Sequence, residues 1–154
     1  MTHLGTFAVC ISFILWGFLR ANKEKNKVEV ICEVERLINY MSSSVSHYRR
    51  PLYEIYQSFE SPILESSGFA SNLSSGWCEA VATVNCPPAI KKELMELGVG
   101  LGMMSTNEQV LQFERCLSIL STYTEKEKLA EPNRILLYRC LGITSAAAFF
   151  ILTL

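Results

Sequence analysis

The densest group of side chains that could do chemistry lies at residues 46–56, where His47, Tyr48, Arg49 and Arg50 follow one another. A hydrolytic site built on a histidine needs a serine or cysteine within hydrogen-bonding reach and an acid that orients the imidazole. Serines stand nearby in the sequence, but no acid is evidently placed to orient the ring. The sequence therefore argues against catalysis at this position.

The same residues could instead bind an anion. Pro51 fits the first turn of a helix, where its missing N–H costs nothing. The free N–H groups of that turn and the two arginines before it would then point the same way. In the structural interpretation, which we favour, the arginines are solvated or pair with Glu54, while His47 and Tyr48 pack the corner between two helices.

A second candidate is the glycine run Gly98, Gly100 and Gly102, which resembles part of a phosphate-binding loop. A dinucleotide fingerprint needs a preceding strand and a βαβ context. This run instead follows a stretch with helical spacing and is not followed by a GK[ST] sequence. We therefore predict a close helix crossing or a helix end, and no bound cofactor.

The six cysteines form no CxxC pair. Cys78 and Cys86 could in principle ligate zinc together with His47, but their spacing does not resemble a zinc-binding pattern. We expect buried, reduced thiols and no metal site.

Apolar residues recur at helical spacing along most of the chain, and no stretch alternates as a strand would. Ser71–Gly76 is predicted to be a polar loop, Trp77 to anchor the region that follows it, and Ser105 with Glu108 to form a capping box. Helix boundaries are predicted at Pro51, Pro62, Trp77, Pro88, Ser105 and Pro132. The predicted fold class is all-α, an antiparallel helical bundle of about six short helices.

All 29 charged side chains lie between Arg20 and Arg139, which leaves two uncharged ends. The first runs from Leu4 to Leu19. At roughly 1.5 Å per residue it is slightly short of a bilayer core of about 30 Å. The second runs from Cys140 to Leu154 and can be extended back to Ile135. A secretory signal would need a basic start and a small-residue cleavage site, which are lacking here. A buried core helix is allowed by length alone.

Basic residues flank both apolar ends on their inner sides, which places those flanks in the cytoplasm by the positive-inside rule. We therefore predict an N-terminal transmembrane helix at 1–20, a cytoplasmic helical bundle domain at 21–134 and a C-terminal transmembrane helix at 135–154. Both termini would lie outside. The formal net charge of −1 gives no general attraction to nucleic acid.

Short patterns in a fixed order connect the chain to a known family. They are Leu37–Met41 leading to His47–Leu52, then Leu97-Gly98 and Leu101-Gly102 before a helix with Gln109, and finally Leu136–Gly142 running into the last apolar segment. In this order and spacing the chain resembles stage III sporulation protein AB of endospore-forming bacteria over essentially its whole length. It departs from that pattern at Ser105, where members often have aspartate, and in the short polar tract Glu125–Glu131.

The resemblance implies a part of the machine that joins the mother cell and the forespore. It also implies similarity to the helical cytoplasmic domains of type II secretion and type IV pilus platform proteins, which meet a secretion ATPase. The cytoplasmic partner would be the stage III sporulation AA-type ATPase, on the mother-cell side of the outer forespore membrane. Other membrane components of the same channel and membrane lipid would be further partners.

We therefore predict a non-enzymatic membrane platform component that docks this ATPase. The predicted docking residues are His47, Tyr48, Arg49, Arg50 and Gln109. The alternative is a membrane-anchored regulatory or anion-sensing domain that uses the two arginines. A membrane-bound enzyme ranks last, because no nucleophile, metal set or nucleotide loop is evident.

Overall fold

Helices make up all the regular secondary structure in the parts of the chain that the structure, a computed structural model, describes: residues 2–48, 52–101 and 103–153. The all-α prediction is therefore confirmed. The helices of these ranges are α1 (Thr2–Tyr48), α2 (Leu52–Ser58), α3 (Pro62–Ser66), α4 (Phe69–Leu73), α5 (Trp77–Thr83), α6 (Pro88–Gly100) and α7 (Thr106–Thr153).

The chain divides into two compact units. Unit 1 consists of Met1–Val28 and Glu127–Leu154, and unit 2 consists of Glu29–Lys126. Helices α1 and α7 each contribute one segment to both units. This division rests on packing alone. The predicted division into membrane and cytoplasmic parts remains a prediction.

The predicted helix boundary at Pro132 is wrong, because this proline lies inside the 48-residue helix α7. A proline inside a helix removes one backbone hydrogen bond, here the bond to the carbonyl of Lys128, and usually breaks the helix. Pro132 is exposed, so water can satisfy that carbonyl. The apolar C-terminal segment and the polar tract before it therefore form one helix, as α1 does at the other end.

The core of unit 2 joins α1 and α7 to all the short helices. Its fully buried side chains come at helical spacing from the long helices, as the sequence pattern predicts. The largest of them, each less than 2% exposed, are Val34, Leu37, Ile38, Met41, Ile55, Phe69, Val81, Leu94, Leu97, Phe113 and Leu120. One polar contact also joins the long helices, since the Thr124 hydroxyl donates to Glu35 Oε2 at 2.7 Å.

Helix boundaries in unit 2 follow local side-chain hydrogen bonds. Ser61 caps α3, where its hydroxyl accepts from the Leu64 N–H and donates to the Glu33 carboxylate at 2.9 Å. At the start of α7, the Glu108 carboxylate accepts from the Ser105 backbone N–H at 3.0 Å, which is one of the two bonds of the predicted capping box. The Ser105 hydroxyl donates to the same carboxylate at 2.7 Å. These two bonds lower the pKa of Glu108.

The expected loop at Ser71–Gly76 is only partly a loop. Its first three residues belong to the one-and-a-half-turn helix α4, which begins at Phe69. Phe69 is fully buried, and it holds this polar stretch against the core. Tertiary burial therefore outweighs the weak helix propensity of the serines and asparagine.

Unit 1 is a pair of helical segments that run antiparallel. Residue numbers fall along α7 as they rise along α1: the Cys10 thiol contacts the Ala146 carbonyl at 3.5 Å, and the rings of Phe13 and Phe149 lie 6.1 Å apart. The two segments come close together at Gly17, where an added Cβ would lie 2.8 Å from the Tyr138 carbonyl oxygen and 3.1 Å from Gly142 Cα. Small residues permit this close approach of two backbones.

Most large apolar side chains of unit 1 remain exposed to the surroundings. In each of the two most apolar windows only 11% of the residues are buried. The exposed side chains include Phe7, Ile11, Leu15, Trp16, Phe18, Leu19, Leu136, Leu137, Leu141, Ile143, Phe150, Ile151 and Leu152. The two helices are long and apolar enough to cross a membrane.

Candidate functional site

The predicted docking residues lie at the edge of what the structure describes. His47 and Tyr48 belong to the last turn of α1, but their side chains fall outside the described residues, as do Arg49 and Arg50 altogether. Gln109 is described, and it lies near the start of α7 with only 9% of its surface exposed. A partner would therefore contact the residues around Gln109 more readily than Gln109 itself.

A shallow polar cleft lies between α1 and the end of α2. Arg36 stacks over the Phe59 ring at 5.2 Å, while its guanidinium pairs with Glu33 at 3.3 Å. On the same side the hydroxyls of Tyr40 and Ser58 are 3.0 Å apart. Because the arginine already has a carboxylate partner, this cleft does not offer a free cation to an anionic ligand.

A more enclosed and mostly apolar cavity opens beside it, and the sequence analysis did not predict it. It has a volume of about 470 Å³, within the roughly 300–1,000 Å³ range of ligand pockets. Helices α1 to α4 all contribute to its wall. The apolar lining is Leu37, Tyr56, Phe59, Leu64, Phe69, Ala70 and Leu73, with Ser61, Glu65 and Ser74 as the polar lining.

Trp77 fixes the aromatic wall of this cavity. Its indole N–H donates to the Leu94 carbonyl at 2.7 Å, which ties α5 to α6. The Tyr56 ring stacks on Trp77 at 6.4 Å, and the Phe69 ring meets it edge-on at 5.8 Å. The prediction that Trp77 anchors this region is therefore confirmed. Burial raises the pKa of Tyr56 to about 12, so its phenol stays a neutral hydrogen-bond donor.

The glycine run packs against the same tryptophan. An added Cβ at Gly98 would overlap Trp77 Cδ1 and lie 3.1 Å from Cys78 Sγ. At Gly100 an added Cβ would meet only the end of the Gln112 side chain. The predicted close approach is therefore confirmed at Gly98, whereas Gly102 lies outside the described residues.

The six cysteines are free thiols, but the expectation that they are buried is wrong for Cys78 and Cys140, which are exposed. In the described ranges, no group of three or more histidine, cysteine or acidic side chains lies close enough together to hold a metal ion. Burial raises the pKa of Cys86, and it raises the pKa of Cys116 to about 11 with a smaller contribution from Glu93.

Charge is distributed unevenly between the two units, which the overall value of −1 conceals. Unit 1 holds seven lysines and arginines against three glutamates, a net charge of +4, while unit 2 holds seven against twelve, a net charge of −5. The imbalance is sharpest over residues 52–90, which contain four glutamates and no basic residue. This run, readable from the sequence, contains every residue that lines the cavity except Leu37.

An ion-pair network joins α1 and α7 at the charged end of unit 1. Arg134 pairs with Glu127 at 2.6 Å and with Glu24 at 3.9 Å, while Lys27 pairs with Glu24 at 2.8 Å. The hydrogen bond from Lys27 lowers the pKa of Glu24 despite some desolvation.

Next to this network the arginines of each helix lie over aromatic rings of the other helix. Arg20 lies over Tyr138 at 5.7 Å, and Arg139 lies over Phe18 at 5.3 Å. Such contacts between cations and rings fix the boundary between the apolar and charged parts of both helices.

Comparison with known proteins gives one clear result. The family model described as stage III sporulation protein AB matches residues 2–154. No curated protein and no solved structure matches the chain.

Proposed function

The chain belongs to the stage III sporulation protein AB family, which gives it a role in sporulation, and on that premise we propose that it is a non-enzymatic membrane platform component. In this proposal unit 1 inserts in the membrane and unit 2 meets a cytoplasmic ATPase of the stage III sporulation AA type. The whole would form part of a secretion-like channel between mother cell and forespore.

The observation that carries the proposal is the antiparallel pair of helices in unit 1. Its outward side chains are apolar and exposed along both helices, up to 85% at Leu152. In water this surface would be costly, at about 25 cal/mol per Å² of apolar area. In lipid the same surface is solvated, and the backbone groups are satisfied within each helix.

The proposed orientation follows from charge. Arg20, Lys23, Arg134 and Arg139 stand at one end of the helix pair, whereas the opposite ends of both helices carry no charged side chain. By the positive-inside rule the charged end faces the cytoplasm, which puts unit 2 there and both chain ends outside.

The ATPase interaction is tested with the full chain in lipid nanodiscs and the purified AA-type ATPase. We expect the ATPase to be retained by loaded nanodiscs and not by empty ones, with a Kd at or below the micromolar range. Retention by both, or by neither while the chain remains folded by circular dichroism, would refute platform docking.

A further inference from the structure

We propose that the cavity of unit 2 is a socket for an apolar side chain of a basic protein segment. We call it the α2–α4 socket, with the lining given above. The inference rests on the proposed docking function and adds to it where the contact lies and what chemistry the partner brings.

The socket has the properties of a preformed binding site. Two of its lining residues, Leu37 and Phe69, are 1% or less exposed and belong to the buried core of unit 2. The tryptophan behind it is held by a buried hydrogen bond, so the aromatic wall cannot easily collapse into the space. A large apolar side chain that entered would be desolvated on several sides, as the dominant residues of protein interfaces are.

The charge around the socket determines which residues can stand beside the entering side chain in the partner's sequence. Glu65 lines the opening and is exposed, and Glu54 and Glu60 are exposed on the neighbouring turns. Residues 52–90 contain no lysine or arginine, so these helices supply no cation to Glu60 or Glu65. Lysine or arginine on either side of the entering residue would be attracted, and acidic flanks would be repelled.

The extent of the acidic surface favours a protein segment over a small cationic ligand. Four glutamates are exposed on this part of the chain: Glu54 on α2, Glu60 after it, Glu65 on α3 and Glu79 on α5. Several cations on one peptide match such a surface, whereas a single amine would neutralise one carboxylate. The Tyr56 phenol, kept neutral by burial, adds a donor for a backbone carbonyl of the segment.

The test uses the full chain in phosphatidylcholine nanodiscs, which avoids free detergent that could fill the socket. The probes are two fluorescein-labelled 12-residue peptides with the same leucines and phenylalanines, one with lysines and the other with glutamates at the remaining positions. Empty nanodiscs give the baseline. We expect the lysine peptide alone to bind above baseline, with fluorescence anisotropy as the readout, and to bind more weakly as salt rises.

Three substitutions locate the binding. Ala70→Phe fills the socket and should abolish peptide binding. If the Ala70→Phe variant does not fold, Leu73→Trp fills the socket in its place. Glu65→Lys reverses the charge at the opening and should lower the affinity for the lysine peptide by about tenfold. Glu114→Lys is the matched control, an exposed glutamate of α7 in the same unit, and it should change the affinity by less than about twofold.

Each other outcome is decisive. Equal binding of both peptides, equal losses from Glu65→Lys and Glu114→Lys, or full binding by the filled socket would overturn the inference. ATPase binding that survives both Ala70→Phe and Glu65→Lys would leave the platform proposal standing and place the contact elsewhere. Peptide binding at the socket without any ATPase binding would remove the platform proposal alone.

Discussion

Gly98 shows how a single missing methyl group sets the packing of unit 2. The indole of Trp77 occupies the volume where a Cβ would stand, and the indole cannot retreat because its N–H is bonded to the Leu94 carbonyl. Helix propensity alone would favour alanine here by about 1 kcal/mol. Packing therefore opposes the local preference of the backbone at this position.

We expect Gly98→Ala to destabilise unit 2 by about 1–3 kcal/mol, the usual cost of overpacking a rigid site. The comparison is Gly100→Ala, where the added methyl meets only the flexible end of Gln112, so the cost should be near zero or reversed. Urea unfolding of the full chain, followed by tryptophan fluorescence, measures both variants. Equal effects of the two substitutions on the free energy of unfolding would show that the Trp77 indole moves to make room for the added methyl group.

The buried thiol of Cys116 gives a second prediction at this scale, which concerns how the stability of the fold depends on pH. Its pKa is about 11 in the folded chain because of burial, and 9.0 is the ordinary value, so the unfolded chain loses this proton first as pH rises. The folded state is therefore favoured fully below pH 9 and progressively less between about pH 9 and 11. We expect Cys116→Ala to flatten this alkaline loss of stability.

The measurement is the free energy of unfolding at several pH values for the natural chain and the variant. Cys78→Ala is the control, because that thiol is exposed. A pH dependence that is the same in all three proteins would mean that the buried thiol does not contribute to it.

At the scale of helices, the apolar periodicity predicted which elements form, and the local signals predicted some of their ends. Ser61 before Pro62, and Pro87 with Pro88 at the start of α6, gave boundaries that the structure confirms. The same kind of signal failed at Pro132. Whether a proline is tolerated inside a helix depends in part on whether the carbonyl four residues earlier, which loses its hydrogen bond, can reach water. That depends on the exposure of the finished helix, which the sequence does not state.

The candidate site was less predictable than the fold. The socket is formed by side chains from Leu37 to Ser74 on four helices, and no periodic pattern encodes a gap between helices. Its acidic surroundings were readable as a run without basic residues. The predicted docking residues Arg49 and Arg50 lie outside the described residues, and docking there stays a prediction.

The contact between Gly17 and Gly142 gives the prediction for the helix pair. We expect Gly17→Leu to force the segments apart, because the added side chain would enter the space of the Tyr138 carbonyl. Cross-linking reports the separation: in a chain whose only cysteines are Cys10 and an introduced Ala146→Cys, mild oxidation should give an intramolecular disulfide. The yield should fall several-fold with Gly17→Leu.

The control for this experiment is Gly5→Leu, since Gly5 has no atom within 4 Å of the added Cβ and its surroundings are open. An unchanged yield in both variants would mean that the two helices pack without depending on the glycine contact.

At the scale of the whole molecule, the two units differ in kind. Unit 1 combines exposed apolar surface with a net charge of +4, and unit 2 combines a buried core with a net charge of −5. A basic, apolar part suits a membrane with anionic lipids, and an acidic part is repelled from it. The charge pattern therefore supports the proposed assignment of the units to lipid and to a protein partner.

The proposed orientation predicts the accessibility of Cys78, an exposed thiol of unit 2. With Cys78 as the only cysteine, a membrane-impermeant maleimide should label inside-out vesicles and leave intact cells unlabelled. A chain whose only cysteine is Gly5→Cys, near the other end of α1, should show the reverse. Labelling of Cys78 in intact cells would place unit 2 outside and overturn the proposed orientation.

The antiparallel contact of the two apolar helices has a consequence for the ends of the chain. Because Cys10 meets Ala146 and Phe13 meets Phe149, the beginning of α1 and the end of α7 lie at the same end of the helix pair. If the pair spans a bilayer, the two ends share one compartment in either orientation, and an odd number of crossings is ruled out. Halves of a split fluorescent protein fused to the two ends should therefore reassemble on a single molecule.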